Sequence, residues 1–304
     1  APLGQPGGIG FDYRLAMGVT DMWFKLFDIP DENWPLGWMY HELCNRRPDE
    51  RSISYAECHD QAIVGGKTAI FRLADAAMYD AMHVSSASLA VDRAVALHKM
   101  MRLATLASAG HGYLNFMGNE MGHFREWDEK RELDWDLLKY PFHDAFQKYF
   151  ARLSLVYATE PALFDGEYNP DCFEWVASES CTEGVYAWLR KGRGQNLLCI
   201  MNTQDHAHKK FPLYLKFPCS AELVLDTEAA EWGGAHKGRR KLHFHTTDGG
   251  VYGRDYTLTV DLPAMGSFLL RLTPEAPNPD AARISANKAM AQKRRTARAK
   301  NSSK

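Results

Sequence analysis

The sequence predicts an α/β region followed by an all-β region, and two observations carry that prediction. Through about residue 160, short apolar strands alternate with stretches of helical periodicity. From about Phe164 onward, period-2 strands separated by turn signals replace the helices.

Three strand–helix units fill the first part. The first has a strand over about Ile9–Leu15 and helix-like stretches at Thr20–Phe27 and Met39–Arg46. In the second, a strand at Ser52–Cys58 precedes amphipathic stretches near Leu73–Met82 and Leu89–Leu106. The later stretch sets Val91, Ala94, Val95, His98, Met101 and Thr105 on or near one face. The third unit pairs a strand at Tyr113–Met117 with a helix at Asp144–Tyr157. Such alternation implies a parallel sheet, because parallel strands need long crossovers rather than tight turns. Polar residues follow two of the strands, His59-Asp60-Gln61 and Asn119-Glu120. In a (β/α)8 barrel the active site lies on that face. Three units cannot close a barrel, so either the sheet is open or the remaining strands lie on sequence outside this chain.

Eight strands are expected in the second part: Phe173–Ser178, Gly184–Lys191, Asn196–Asn202, Phe211–Phe217, Glu222–Asp226, Lys241–His245, Tyr256–Leu262 and Ser267–Thr273. Lys191-Gly192-Arg193-Gly194 and Asp248-Gly249-Gly250 read as turns, as does Asp261 through Ser267. Short strands with regular turns suggest an antiparallel sandwich. The expected division is 1–160 for the α/β part, 161–274 for the sandwich and 275–304 for a basic, disordered or loosely helical tail. A basic tail can touch RNA or acidic lipid, but a solvated tail is the simpler reading.

Bulk composition excludes several classes. The 304 residues are 45% hydrophobic and 24% charged, enough apolar mass for a real core. A formal net charge of −2 gives no general field toward nucleic acid or a membrane. No apolar run reaches the ~18 residues of a membrane span, and Ala1–Gly8 has neither a basic nor an apolar region of a signal peptide. Lacking an initiator Met, the start suggests a fragment or a processed chain. Cys44, Cys58, Cys172, Cys181, Cys199 and Cys219 show no zinc spacing, and free thiols in a reducing cytoplasm are expected. No metal or cofactor is called for.

Asp60 is the leading candidate for chemistry. A carboxylate beside an imidazole can hydrogen-bond adjacent sugar hydroxyls and stabilise positive charge at an anomeric carbon; the same residue can also be a plain helix N-cap. Glu120 sits between Gly118 and Gly122, which permit unusual backbone angles, and is equally readable as a structural carboxylate. From spacing alone, Asp60 and Glu120 resemble a nucleophile and acid pair. Asp12 can pair with Arg14 or line a site. Phe124 through Trp127 and Asp134-Trp135-Asp136 mix aromatics with charges, and Trp faces stack on sugar rings.

Several blocks together resemble one family. Tyr55-Ala-Glu-Cys-His-Asp-Gln61 with Lys67-Thr68 is similar to the fourth signature region of the α-amylase superfamily, in the form typical of 1,4-α-glucan branching enzymes. Gly10 through Met17 resembles their sixth barrel strand, and Asn45-Arg46-Arg47 the helix before the seventh. Leu97-His98-Lys99-Met100 and Gly112 through His123 resemble the helix and eighth strand that follow. Cys58 stands where Ser is frequent, Gly66 where an acid is frequent, and Met121 where Phe is common. The resemblance implies the C-terminal portion of a (β/α)8 TIM barrel (about strands 6–8) followed by the sandwich. It also implies retaining transglycosylation, in which an α-1,4 bond is cut and a 6-hydroxyl of an α-glucan such as glycogen accepts the chain. Asp60 then corresponds to the third carboxylate, the transition-state stabiliser, and His59 to its sugar-contacting partner; Gln61, Glu120 and Asp12 are expected beside the substrate. The family's nucleophile Asp and acid/base Glu belong to strands upstream of Gly10, outside this chain, which alone is expected to be inactive. This role for Asp60 replaces the two-carboxylate reading.

Overall fold

The computed structural model describes residues 11–46, 51–81, 88–108, 112–125, 128–165, 169–177, 183–236 and 242–276. Residues 277–304 of the tail expected at 275–304, the first residues of the first strand, Trp127 and Cys181 therefore lie outside the described residues.

Three short strands form a parallel sheet in the order β1-β2-β3: β1 (Arg14–Leu15), β2 (Ser52–Tyr55) and β3 (Gly112–Leu114). Arg14 pairs with Ser52, and Tyr55 with Leu114. Helices make the crossovers, as the alternation required. α1 (Met17–Leu26) buries Val19, Met22, Trp23 and Leu26, one face at helical spacing. α2 (Leu36–Cys44) follows, and α3 (His59–Gly65) starts directly after β2. The stretch expected as one helix at Leu73–Met82 is two, α4 (Ala69–Ala74) and α5 (Ala77–Asp80). Asp75 between them has φ +44°, which an α-helix cannot continue through, and its carboxylate accepts from Lys67 Nζ at 2.6 Å. α6 (Leu89–Leu106) begins at Ser88, whose Oγ accepts the Val91 N–H. α7 (Pro141–Thr159) opens on a proline, where the missing N–H costs nothing.

Nine antiparallel strands follow among the described residues. β4 (Phe173–Ala177), β5 (Val185–Gly192), β6 (Gln195–Asn202), β8 (Cys219–Asp226), β9 (His243–His245) and β12 (Gly266–Pro274) form a six-stranded sheet in the order β4-β5-β6-β12-β8-β9. β7 (His208–Leu215), β10 (Thr247–Val251) and β11 (Arg254–Leu262) form a second sheet, and Leu213, Leu258 and Val260 pack in one cluster with Leu198, Ile200 and Leu270. The turn expected at Lys191–Gly194 is a hairpin with Arg193 and Gly194 both at positive φ. The turn expected at Asp248-Gly249-Gly250 is not one: β10 runs through it. Tyr252 (φ +56°) and Gly253 (φ +73°) make the hairpin instead. Gly250 is needed in the strand because a Cβ there would meet the Arg254 carbonyl.

The six-stranded sheet is buried on both faces. Leu198 and Ile200 face the second sheet, while Leu197, Cys199, Met201, Tyr186 and Trp188 share a core with the helices. Polar ties reinforce that join. Trp188 Nε1 donates to Ala107 O at 2.8 Å, and buried Arg190 donates to the carbonyls of Ala107, Ser108 and Leu163, covering the carboxyl end of α6. Burial lowers the Arg190 guanidinium to about 10. Lys99 of α6 pairs with Glu228 at 3.2 Å, and Arg152 of α7 donates to Val224 O at 2.8 Å. Cys44, Cys58, Cys172, Cys199 and Cys219 are free thiols. Among the described residues, no helix is long and apolar enough to cross a membrane.

Candidate active site

β2 is the middle strand of the parallel sheet, so the turn that leaves its carboxyl end lies beside the turn that leaves β3. The first carries His59 and Asp60, the second Asn119 and Glu120. Local chemistry shapes each turn. At the start of α3 the cap is Cys58: its side chain accepts from the backbone of Gln61, and Gln61 Oε1 accepts the Cys58 N–H at 2.7 Å. Burial pushes the Cys58 thiol up, which keeps it protonated. Asp60 is therefore not the N-cap. It sits in the first helical turn, where the helix dipole favours an anion, with its carboxylate half exposed. Asp60 Oδ1 lies 3.0 Å from His59 Nε2, and the His59 ring lies 5.7 Å from that of Phe116, next to β3. Thr20 Oγ1 of α1 donates to Tyr55 O at 2.9 Å and fixes the end of β2 from below.

In the second turn a single 3-10 turn, Asn119–Met121, is bracketed by Gly118 (φ +88°) and Gly122 (φ +65°), the unusual angles expected of those glycines. Glu120 is half-buried and accepts from Asn115 Nδ2 at 3.3 Å. The segment beyond is folded back on itself. Arg125 makes a two-point contact with Asp134, which also lies 3.2 Å from His123 Nε2, and His143 Nδ1 sits 2.6 Å from Met121 O. Trp135 stays half exposed.

Of the sequence-predicted residues, His59, Asp60 and Gln61 share one turn and Glu120 comes from the neighbouring one. Gln61 is engaged as the helix cap. Asp12 precedes β1 on its amino-terminal side, two residues before the first paired position, so the sheet does not carry it to the edge where Asp60 stands. Sequence reasoning passed over the groups beneath the turns. Glu57, 3% exposed, accepts the Ala69 N–H at 2.7 Å and the Asn119 side-chain amide, and faces Arg102 at 3.4 Å. The signal was present: Lys99 and Arg102 sit among Leu97, Met100, Met101, Leu103, Ala104 and Leu106, too apolar a setting for a solvated helix face. Among the described residues no group of His, Cys, Asp and Glu has a geometry for a metal ion.

Comparison with known proteins agrees with this layout. The alpha amylase C-terminal all-beta domain family matches residues 175–273. The 1,4-alpha-glucan-branching enzyme of Debaryomyces hansenii is 34% identical over 298 residues, covering 89% of this chain and 40% of that protein. Its namesake from Saccharomyces cerevisiae is 36% identical, covering 88% of this chain and 38% of the relative. The 1,4-alpha-glucan-branching enzyme 2-2, chloroplastic/amyloplastic, of Arabidopsis thaliana is 54% identical over 124 residues, which are 40% of this chain and 15% of that protein. Among solved structures, AmyP in complex with maltose superposes with a TM-score of 0.54 at 13% identity, covering 90% of this chain and 53% of the other, a likeness of fold. The chain thus spans about two-fifths of the length of the curated relatives it matches. The resemblance carried by the Tyr55–Gln61 and Gly112–His123 blocks is borne out: the chain matches the C-terminal part of the 1,4-alpha-glucan-branching enzymes.

Proposed function

We propose that this chain is the C-terminal part of a glucan branching enzyme that cuts an α-1,4 bond and passes the released chain to a 6-hydroxyl, making an α-1,6 branch. The observation that carries the reading is the His59–Asp60 pair at the carboxyl end of the central parallel strand. The three strands are then about the sixth to eighth of a (β/α)8 barrel, whose active site lies at that end. Residues 1–160 form this barrel portion, 161–274 the sandwich and 275–304 the tail. An α-glucan such as glycogen is the substrate, and the free thiols fit a reducing, cytoplasmic setting.

Asp60 is the transition-state stabiliser. Breaking the glycosidic bond leaves positive charge on the anomeric carbon and ring oxygen; a fixed carboxylate opposes that charge more strongly than it opposes the neutral ground state. His59, held 3.0 Å away, orients the carboxylate and contacts the donor sugar beside it. The nucleophile that forms the glucosyl-enzyme, and the acid that protonates the departing 4-oxygen and later accepts the 6-hydroxyl proton, come from upstream strands. Gln61 and Glu120 shape the rim, one as the cap of α3 and one from the next turn.

Two measurements test this. Incubated alone with amylose, the 304-residue chain leaves the long-wavelength iodine band unchanged; loss of that band would show that the chain holds the complete chemistry. A protein carrying the upstream strands lowers the band and gains α-1,6 linkages without an equal gain of reducing ends. Reducing ends rising with no new α-1,6 linkages would make the activity hydrolysis and overturn the transfer.

A further inference from the structure

Beneath the two turns of the proposed site lies a closed ring of buried polar groups that no step of that chemistry uses. Glu57 leaves β2 two residues before His59 and is 3% exposed; Arg102 of α6 is fully buried and Asn119 is 6% exposed. Glu57 Oε1 lies 3.4 Å from Arg102 Nη2 and accepts from Asn119 Nδ2, while Asn119 Oδ1 accepts from Arg102 Nη1 at 3.3 Å. The three side chains thus satisfy one another around a triangle. The second oxygen of Glu57 accepts the Ala69 N–H at 2.7 Å.

That last contact decides where the network acts. α4 begins at Ala69 with no side-chain cap from Thr68, so Glu57 performs the capping from twelve residues upstream. One carboxylate therefore closes the neck of the loop 57–69, and the whole of α3, with His59 and Asp60, stands on that loop. Through Asn119 the same carboxylate grips the base of the neighbouring turn that carries Glu120. Arg102 is in turn fixed from behind: its Nε donates to His98 Nε2 at 3.0 Å and its guanidinium lies 5.3 Å from the Phe150 ring. Burial holds His98 well below its ordinary range, so the ring is neutral and its Nε2 is free to accept. Burial also pushes the Glu57 carboxyl up, and the Arg102 guanidinium and the Ala69 N–H oppose that shift. An isolated buried charge on this scale is strongly disfavoured, so the arrangement persists only as a complete set.

We propose that Glu57, Arg102 and Asn119 are positioning residues: one buried ring that sets the His59–Asp60 turn and the Asn119–Glu120 turn at a fixed mutual distance. The inference rests on the reading of Asp60 as the stabilising carboxylate. A ring of this kind matters to the rate rather than to substrate affinity, because displacement of a catalytic group by about 1 Å can cost on the order of 10²-fold in rate.

The test uses the full-length protein with its upstream strands and the formation of α-1,6 linkages as readout. In Glu57→Gln the side chain keeps its shape, but one end becomes an N–H donor facing the donors of Ala69, Asn119 or Arg102. Expected is a fall in kcat of roughly 10-fold or more with KM within about 2-fold, measured well below the melting temperature. Asn119→Ala, which leaves the ion pair intact, gives the same split and decides the matter if Glu57→Gln does not fold. Combined with Glu57→Gln, it adds little to the larger single loss, because the residues act as one unit. Wild-type kcat in either folded variant, a KM increase alone, or losses that multiply would overturn the positioning role. Asp60→Asn run alongside keeps the two claims apart. If Asp60→Asn is as active as wild type, the catalytic reading itself fails. Loss in Asp60→Asn with a wild-type Asn119→Ala refutes only the ring.

Discussion

The two sheets that share the helical core are built to opposite degrees of completion. The six-stranded sheet is covered on both faces, by the second sheet and by the helices, and β6, one of its two central strands, is buried from Leu197 to Met201 without interruption. The three-stranded parallel sheet has two open edges among the described residues, and Phe11, Leu15 and Met17 near β1 are exposed at 83%, 42% and 56%. Parallel sheets are ordinarily covered on both faces and continued at their edges. Among the described residues, one part of the molecule therefore completes its own core, and the other leaves its sheet edges unpaired and apolar side chains near β1 exposed. That contrast supports the proposal of a partial barrel, which the His59–Asp60 pair carries.

The contrast can be broken at its strongest point first. Trp188 is fully buried and joins the six-stranded sheet to the end of α6, so Trp188→Ala costs about 3–5 kcal/mol, read from chemical denaturation of the chain. A loss below about 1 kcal/mol would mean that the sheet and the helices do not share one core.

The helical side should answer to acid. His98 and His143 are both held below their ordinary range, by burial in each case. The unfolded chain then takes up protons near pH 6.5 while the folded protein does not, so stability is full above that pH and falls as pH drops toward the folded-state values. Each group contributes a slope of about 1.4 kcal/mol per pH unit in that window. His143→Gln, which can still donate to Met121 O, makes the dependence shallower; an unchanged slope would contradict the neutral, buried assignment.

At the open sheet the expected effect depends on what accompanies it. In the 304-residue chain Leu15→Ser changes stability by no more than about 0.5 kcal/mol, since the side chain is exposed. With the upstream strands present, the same substitution costs about 2 kcal/mol or more, because the side chain is then buried. Equal small effects in both forms would argue against closure of the sheet. The smallest effect lies at the β10–β11 hairpin, where Tyr252→Asn relieves a positive φ and stabilises by a few tenths of a kcal/mol.

Much of this organisation was legible in the residues. Strand–helix alternation gave the parallel sheet, and α6 runs over the very stretch, Leu89–Leu106, that its periodicity marked. Strands of the sandwich start and stop within a few residues of their expected bounds, because turn residues such as Arg193-Gly194 punctuate them. Asp248-Gly249-Gly250 misled, since glycines that signal a turn also serve a strand where another backbone passes close. The break at Asp75 is a backbone event with no periodicity to announce it. At the candidate site, His59 and Asp60 stood out as polar residues after a strand. Glu57 and Arg102 did not, and Asn119 stood out only as a polar residue after a strand, because a buried charge set is defined by partners 45 and 62 residues away in sequence rather than by local pattern.

The central claim, that Asp60 opposes the charge of a glycosyl transition state, is tested most directly by Asp60→Asn in a protein that carries the upstream strands. The variant keeps the size of the side chain and removes only its charge. The account predicts a fall in the rate of α-1,6 linkage formation on the order of 10²–10³-fold, with glucan affinity largely retained. Turnover near the wild-type rate would contradict it.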